Sequence, residues 1–359
     1  MAKKALLFPT SVVGSLPRPQ FVREMIWQDA DPFSATMDKA VRYAIALQEQ
    51  AGLDIISDGE WRRKSYVWVL TQQVIGGFQY FFDKQSGQPL HIVVGKLQVN
   101  KPGFFAREAV FLKQNSSKKI KVAVPSPYLL GQRMWDEERS ARAYKTRREF
   151  MEALVPILNK EILLLRHAGA DVIQIDDPHI CMFVDKKTRA RFKSPDEELK
   201  YACVLVNEVI KGVKGVETAL HLCRRNRAFL YRQNRSRRGW VGEGGYEPII
   251  PFIQDLKVNQ FVLEYSIPVA GDLRALALIP KRFKIGLGCV ECRFEHIDTP
   301  KEITARVEQA LQYVAPERIL LNPDCGFAPR LQTAIPVDEA YLKLKNEVEA
   351  AKILREKYV

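Results

Sequence analysis

The stretch REFMEALVPILNKEILLLRHAGADVIQIDDP, Arg148 to Pro178, decides how the chain is built. Its first two-thirds carry apolar residues at the three- and four-residue spacing of an amphipathic helix. Ala168-Gly169 supplies the small-residue break that ends helices, and Val172 to Ile175 then read as a short β-branched strand stopping at Asp176 and Asp177. The same unit stands earlier, in MDKAVRYAIALQEQAGLDIISDGE from Met37 to Glu60, with its break at Ala51-Gly52 and its strand running from Ile55 to near Asp58 and Glu60. AGLDIISD and AGADVIQID are thus an internal echo. A helix feeding a short strand, twice over, argues for parallel strands joined by crossover helices.

Working outward, ETALHLC, NQFVLEYS, FKIGLGCVEC and RILLNPDCG read as further strands, with helices expected in DEELKYACVLVNEVIKGV and PKEITARVEQALQYVAPER. This many alternating units favours closure, and no GxGxxG follows the first strand as a dinucleotide-binding open sheet would require. The expectation is an α/β chain folded as a (β/α)8 TIM barrel, a single domain spanning residues 1–359, with a β-hairpin insertion near residues 77–100.

Composition excludes several classes. Hydrophobic residues make up 47% and charged residues 27%, the balance of an ordinary globular protein. No apolar run approaches the roughly 20 residues of a membrane span, and the first residues lack a secretory signal, so a cytoplasmic, non-membrane protein is expected. Six cysteines spread over half of a long chain do not resemble a disulfide framework, and reduced thiols are expected. The net charge of +13 fits an anionic substrate, an acidic partner or RNA alike, but no zinc-finger, RNP or helix-turn-helix motif supports nucleic acid as the partner.

The chemistry concentrates at strand ends. His221 and Cys223 are two residues apart on one strand, so their side chains share a face. Glu264 closes FVLEYS and Cys325 closes ILLNPDCG; in a barrel, such ends converge on the active face. His221, Cys223, Glu264 and Cys325 together offer the nitrogen, sulfur and oxygen donors of a tetrahedral zinc site, Zn2+ being the expected cofactor. Two thiolates and a carboxylate around a divalent ion make an electron-rich centre, suited to holding a substrate thiol as a nucleophile. Glu60 and Asp176 should lie on the same face and could hold a substrate ammonium, while the backbone of Val13, Gly14 and Ser15 could take its carboxylate. Cys289 and Cys292 form a C-x-x-C that reads as structural, since it lies on a strand end without a thioredoxin-like setting.

These residues carry a resemblance. VGSLPRP, SDGE, IQIDDP, HLCRRN, LEYS and NPDCGF run through nearly the whole chain and resemble the catalytic barrel of cobalamin-independent methionine synthase, particularly its short single-barrel relatives. The resemblance implies a methyltransferase that forms methionine from homocysteine, with zinc on His221, Cys223, Glu264 and Cys325 and homocysteine held by Ser15 with its neighbouring backbone, Glu60 and Asp176. It leaves the methyl donor open between methyltetrahydrofolate and a methylcorrinoid protein, because the chain has no room for a second barrel. Where long members carry a proton-donating histidine, this chain has Arg293, with His296 three residues on; these two are the candidates for the acid step. The arginine-rich segment 224–238 is the expected docking place for a donor or partner protein. Two rivals remain: a zinc enzyme adding coenzyme M to an epoxide, and a non-catalytic binder of nucleic acid or a corrinoid protein.

Overall fold

The computed structural model describes residues 6–83, 88–225, 232, 242–328 and 335–358. The two echoing units form as their sequences dictate. The helix Ala35–Ala51 starts at Ser34, whose hydroxyl accepts from Met37 N–H, and ends at Gly52 with φ 93°. A hydroxyl cap of this kind contributes about 1 kcal/mol, and the left-handed terminal residue is a position where glycine has no side chain to strain. Its buried residues Met37, Ala40, Val41, Ala44 and Ile45 fall on one face at helical spacing. The helix Arg147–His167 repeats the plan, capped by Thr146 and followed by Gly169 at φ 87°.

Each helix returns the chain to a strand of one parallel sheet. In chain order the strands are β1 (Ile55–Ile56), β2 (Ile75–Asp83), β3 (Gln88–Val99), β4 (Lys119–Pro125), β5 (Val172–Asp176), β6 (Glu217–Leu222), β7 (Gln260–Glu264), β8 (Lys284–Val290) and β9 (Ile319–Pro323). β2 and β3 pair antiparallel as a separate hairpin, where the sequence placed one. The other seven run parallel in the order β1-β4-β5-β6-β7-β8-β9. No crossover breaks that sequence, so each new strand is laid beside the last.

The expected closed eight-stranded barrel is met only in part, because the ladder ends with seven strands. Between its two edges lies Pro9–Ser11, which forms isolated parallel bridges: Thr10 with Leu321 of β9 and Ser11 with Ile55 of β1. Leu321 N donates to Pro9 O at 2.9 Å, Ser11 N to Leu321 O at 3.0 Å and Ile55 N to Thr10 O at 3.0 Å. A segment this short shows no periodicity, which is why the sequence reading passed over it, as it did β4.

Alternation along the strands sorts the residues. Val13, Ile55, Val172, Ala219, Val262 and Leu320 form a small apolar cluster of their own on the face away from the helices, while Ile173, Leu220, Phe261 and Ile285 join the large core beneath the helices. The first face also carries polar groups that reach the N-terminal segment: Lys121 Nζ donates to Val12 O at 2.8 Å, and Gln174 Nε2 to Val13 O at 3.0 Å. Register sets Pro125 beside Asp176, Asp176 beside His221 and Glu264 beside Gly288. The residues closing these strands therefore stand side by side at one end of the sheet. Among the described residues no helix is long and apolar enough to cross a membrane.

Candidate metal centre and substrate pocket

His221 and Cys223 leave β6 on one face, as their spacing requires, and Cys325 follows β9 from the other side of the sheet. A ring nitrogen and the two sulfurs lie within 4.8 Å of one another, and all three residues are buried. Asp176 fixes the imidazole: its Oδ1 lies 3.2 Å from His221 Nδ1 and accepts from Gln174 Nε2 at 2.8 Å. His221 Nε2 is buried with no hydrogen-bond partner. A desolvated ring nitrogen without a partner costs free energy unless something binds it, and a nearby pair of thiols makes a metal ion the fitting occupant.

The two thiols shift each other in opposite directions. A hydrogen bond from Cys325 holds the Cys223 thiol well below its ordinary value against the opposing effect of burial, with His221 assisting. Cys325 is correspondingly pushed up, by its bond to Cys223 and by burial. Burial alone would lower His221, but the Cys223 charge and Asp176 outweigh it and raise the imidazole.

Glu264 is not a member of this close group. One carboxylate oxygen is ion-paired with Arg293 Nη2, and the other accepts from Arg224 N–H at 2.9 Å. Burial raises its carboxyl to about 7 despite Arg293, and the Cys223 charge raises it further. It therefore sits beside the thiols, held back by arginine. Arg293 Nη1 also lies 3.3 Å from Asp324 and 3.4 Å from Glu291. Asp324 in turn accepts from Tyr265 N–H and Ser266 N–H, both at 3.0 Å. This buried network braces the turn that carries Cys325.

The two acid-step candidates fare differently from expectation. Arg293 is buried among carboxylates that hold its proton more firmly than usual, although burial opposes them; it is a fixed positive charge, and a guanidinium does not release a proton at neutral pH. His296 is exposed, its side chain 63% accessible, and lies 3.2 Å from Glu302. Glu302 belongs to the capping box of helix Pro300–Ala310, so His296 stands at the surface instead of in the buried group.

Among the expected substrate residues, Glu60 meets Gly14. Glu60 has φ 55°, a strained conformation for a non-glycine residue and one that cluster at functional sites. A Cβ on Gly14 would lie 2.6 Å from Glu60 Oε1, so the carboxylate rests directly on the glycine backbone. Burial raises the Glu60 carboxyl to about 7; Arg63, 3.7 Å away, opposes this, and the Asp176 charge adds to it. Ser15 adjoins the turn after Cys325: its Oγ accepts from Ala328 N–H at 3.2 Å, and its carbonyl from Phe327 N–H at 2.9 Å. Val13 is buried beneath them.

Of the arginine-rich segment 224–238, only Arg224, Arg225 and Arg232 are described, and the proposed docking loop otherwise lies outside the described residues. Arg224 is structural: its guanidinium donates to Gly242 O at 2.8 Å, Tyr246 Oη at 3.0 Å and Gly244 O at 2.7 Å. Arg232 pairs with Glu339 at 2.6 Å. None of the six cysteines forms a disulfide, and Cys289 and Cys292 are both buried. Sequence reasoning missed Asp324, Tyr66 and His179 near this site. Asp324 adjoins Cys325 and was findable; Tyr66 stands in a turn with no motif to mark it, and His179, in the short helix Pro178–Cys181 just after IQIDDP, has no ligand-like spacing to single it out.

Residues 8–235 and 239–353 match the family described as cobalamin-independent synthase, catalytic domain. The methionine synthase of Thermococcus kodakarensis is 29% identical over 366 residues, covering 97% of this chain and 94% of that protein. That of Sulfurisphaera tokodaii is 28% identical over 369 residues, covering 98% and 93%. A B12-independent methionine synthase from Shewanella sp. W3-18-1, solved in complex with selenomethionine, superimposes with a TM-score of 0.78 over 98% of both chains at 24% identity, a likeness of fold. The chain belongs to the cobalamin-independent methionine synthase family of methyltransferases.

Proposed function

We propose that the chain, folded as one barrel domain with Pro9–Ser11 as its eighth stave, transfers a methyl group to the sulfur of homocysteine and forms methionine in the cytoplasm. His221, Cys223 and Cys325 would hold zinc, with Glu264 as the fourth donor. The observation that carries this reading is the buried His-Cys-Cys group with its unpartnered Nε2, set beside two carboxylates. Zinc supplies a positive charge that favours the deprotonated form of a substrate thiol at neutral pH.

The chain's own residues do the rest. Glu60 and Asp176 receive the substrate ammonium, and the Val13–Ser15 backbone with Ser15 receives its carboxylate. Arg293 balances the charge on Glu264 when that carboxylate turns toward the thiols. Fixing ammonium, carboxylate and sulfur at once orients the nucleophile for in-line attack on the donor methyl, the kind of positioning that removes much of a bimolecular barrier. The paired carboxylates also discriminate: they favour an aminothiol over the sulfonate thiol of the epoxide-opening alternative.

Zinc content and methyl transfer to homocysteine, measured on the wild type and on Cys325→Ser, test the reading. Both are expected to fall together. Transfer that persists after complete loss of metal would falsify it.

A further inference from the structure

One step below the strand ends, the sheet carries an amide between two alanines. Gln174 and Asp176 are two residues apart on β5, so both side chains stand on the face away from the helices. Register sets Ala123 of β4 on one side of Gln174 and Ala219 of β6 on the other. Neither neighbour has a polar side-chain atom, so no side chain beside it in the sheet duplicates the amide.

Gln174 Nε2 donates twice, to Val13 O at 3.0 Å and to Asp176 Oδ1 at 2.8 Å. A carbonyl oxygen only accepts, which fixes the nitrogen end of the amide toward this pair. The oxygen end is buried with no hydrogen-bond partner, and an unpaired buried acceptor destabilises a fold. What the position uses is the two hydrogens.

Each hydrogen fixes a different half of the pocket. Asp176 Oδ1, so held, faces His221 Nδ1 at 3.2 Å. A ring nitrogen that faces a carboxylate carries the proton, which leaves Nε2 its lone pair for a metal ion. On the other side, the Val13–Gly14 peptide is trans, so its N–H points opposite to the carbonyl that Gln174 holds. Gly14 and Ser15 are buried, and among the described residues neither backbone N–H has a hydrogen-bond partner. A carboxylate is the partner that two such donors lack.

We propose that Gln174 is a positioning residue that couples the two halves of the site: its amide aims the His221 ring through Asp176 and the Gly14 N–H through the Val13 carbonyl. It acts through these groups without touching metal or acceptor, and its role rests on the proposed function for the identity of both. Thiol activation and acceptor recognition are thereby tied, because a shift of one amide moves the histidine and the carboxylate anchor together.

Gln174→Met keeps the length of the side chain and loses the hydrogens. It exchanges one orphan acceptor for another, Val13 O for Gln174 Oε1, so a thermal melt should give a Tm near that of the wild type. Zinc affinity in a chelator competition should fall on the order of 10-fold, the lower end of what partners of a ligating histidine contribute. The preference for homocysteine over aminopropanethiol, the same aminothiol without the carboxylate, should also shrink on the order of 10-fold. Gln174→Glu, which keeps the shape but has no hydrogen to give, carries the same readings if Gln174→Met melts early.

A double-mutant cycle separates positioning from packing. In an Asp176→Ala background Gln174→Met should weaken zinc binding no further, whereas a general packing defect would add its full effect. Additive losses overturn the coupling, and so does a folded variant that equals the wild type in zinc affinity or in carboxylate preference. Wild type that fails to bind zinc or homocysteine removes the proposed function and this role with it, so the two failures are told apart.

Discussion

Asp176 Oδ1 faces His221 Nδ1 at 3.2 Å, so a carboxylate proposed to hold substrate also orients an imidazole proposed to hold the metal. It occupies Nδ1 and leaves Nε2 buried with no hydrogen-bond partner. Partners that orient a ligating histidine typically change metal affinity by roughly 10–100-fold when removed. Asp176→Ala is expected to weaken zinc binding by that order in a chelator competition, while Asp176→Asn, which can still accept from the ring, should lose less. Equal zinc affinity in all three proteins would break the link.

If Glu60 holds the acceptor as proposed, acceptor binding is expected to depend on pH. With its carboxyl raised to about 7 by burial, it is largely protonated below neutrality and cannot attract an ammonium. Homocysteine affinity should rise with pH through about 7 and level off above it, and Glu60→Gln should be weaker and lose that rise. The stability sign is opposite. The folded chain holds this proton more tightly than the unfolded chain, so the contribution of Glu60 to stability is lost as pH rises from 4.5 to about 7. Calorimetric titration at a series of pH values decides the first point.

Gly14→Ala separates packing from function. The new Cβ would meet Glu60 Oε1 at 2.6 Å, the far end of a movable side chain. Moving the end of that side chain puts the cost at the low end of the about 1–3 kcal/mol of overpacking, but misplaces the proposed ammonium anchor. KM for homocysteine should rise by about 10-fold or more, the scale of one charge-assisted contact, with little change in Tm. An unchanged KM would remove Glu60 from substrate binding.

Two glycines with similar φ should respond differently to alanine. At Gly271, φ 84°, an added Cβ would lie 2.4 Å from Gly245 Cα, which is backbone and cannot swing away. At Gly212, φ 78°, it would meet nothing within 4 Å. Gly212→Ala carries only the left-handed penalty of roughly 1–2 kcal/mol, whereas Gly271→Ala adds overpacking of about 1–3 kcal/mol. Urea unfolding of the two variants measures the difference directly.

What could be read in the sequence was whatever periodicity or spacing encodes. The Ala51-Gly52 and Ala168-Gly169 breaks, β5 to β9 and the hairpin all have local signals, and the i, i+2 placement of His221 and Cys223 on β6 is geometry that a strand imposes. The edge of the sheet was not legible, because Pro9–Ser11 is held by three backbone hydrogen bonds and not by any pattern of its own. Nor was the capture of Glu264 by Arg293: Glu264 ends β7 and Arg293 lies in the loop after β8, so only the folded sheet brings them together and the pairing leaves no trace in spacing. His296 misled for the converse reason, since nearness in sequence to Arg293 carried it to the surface cap of a helix instead of the pocket.

The placement of Cys325 has a consequence for biogenesis. It follows β9, on a turn secured to Ser15. A ribosome releases His221 and Cys223 long before the third sulfur or nitrogen donor exists. Loading of the proposed metal centre thus has to wait until the turn carrying Cys325 has been made and has docked on Ser15, so a polypeptide lacking that turn would be left without a competent centre.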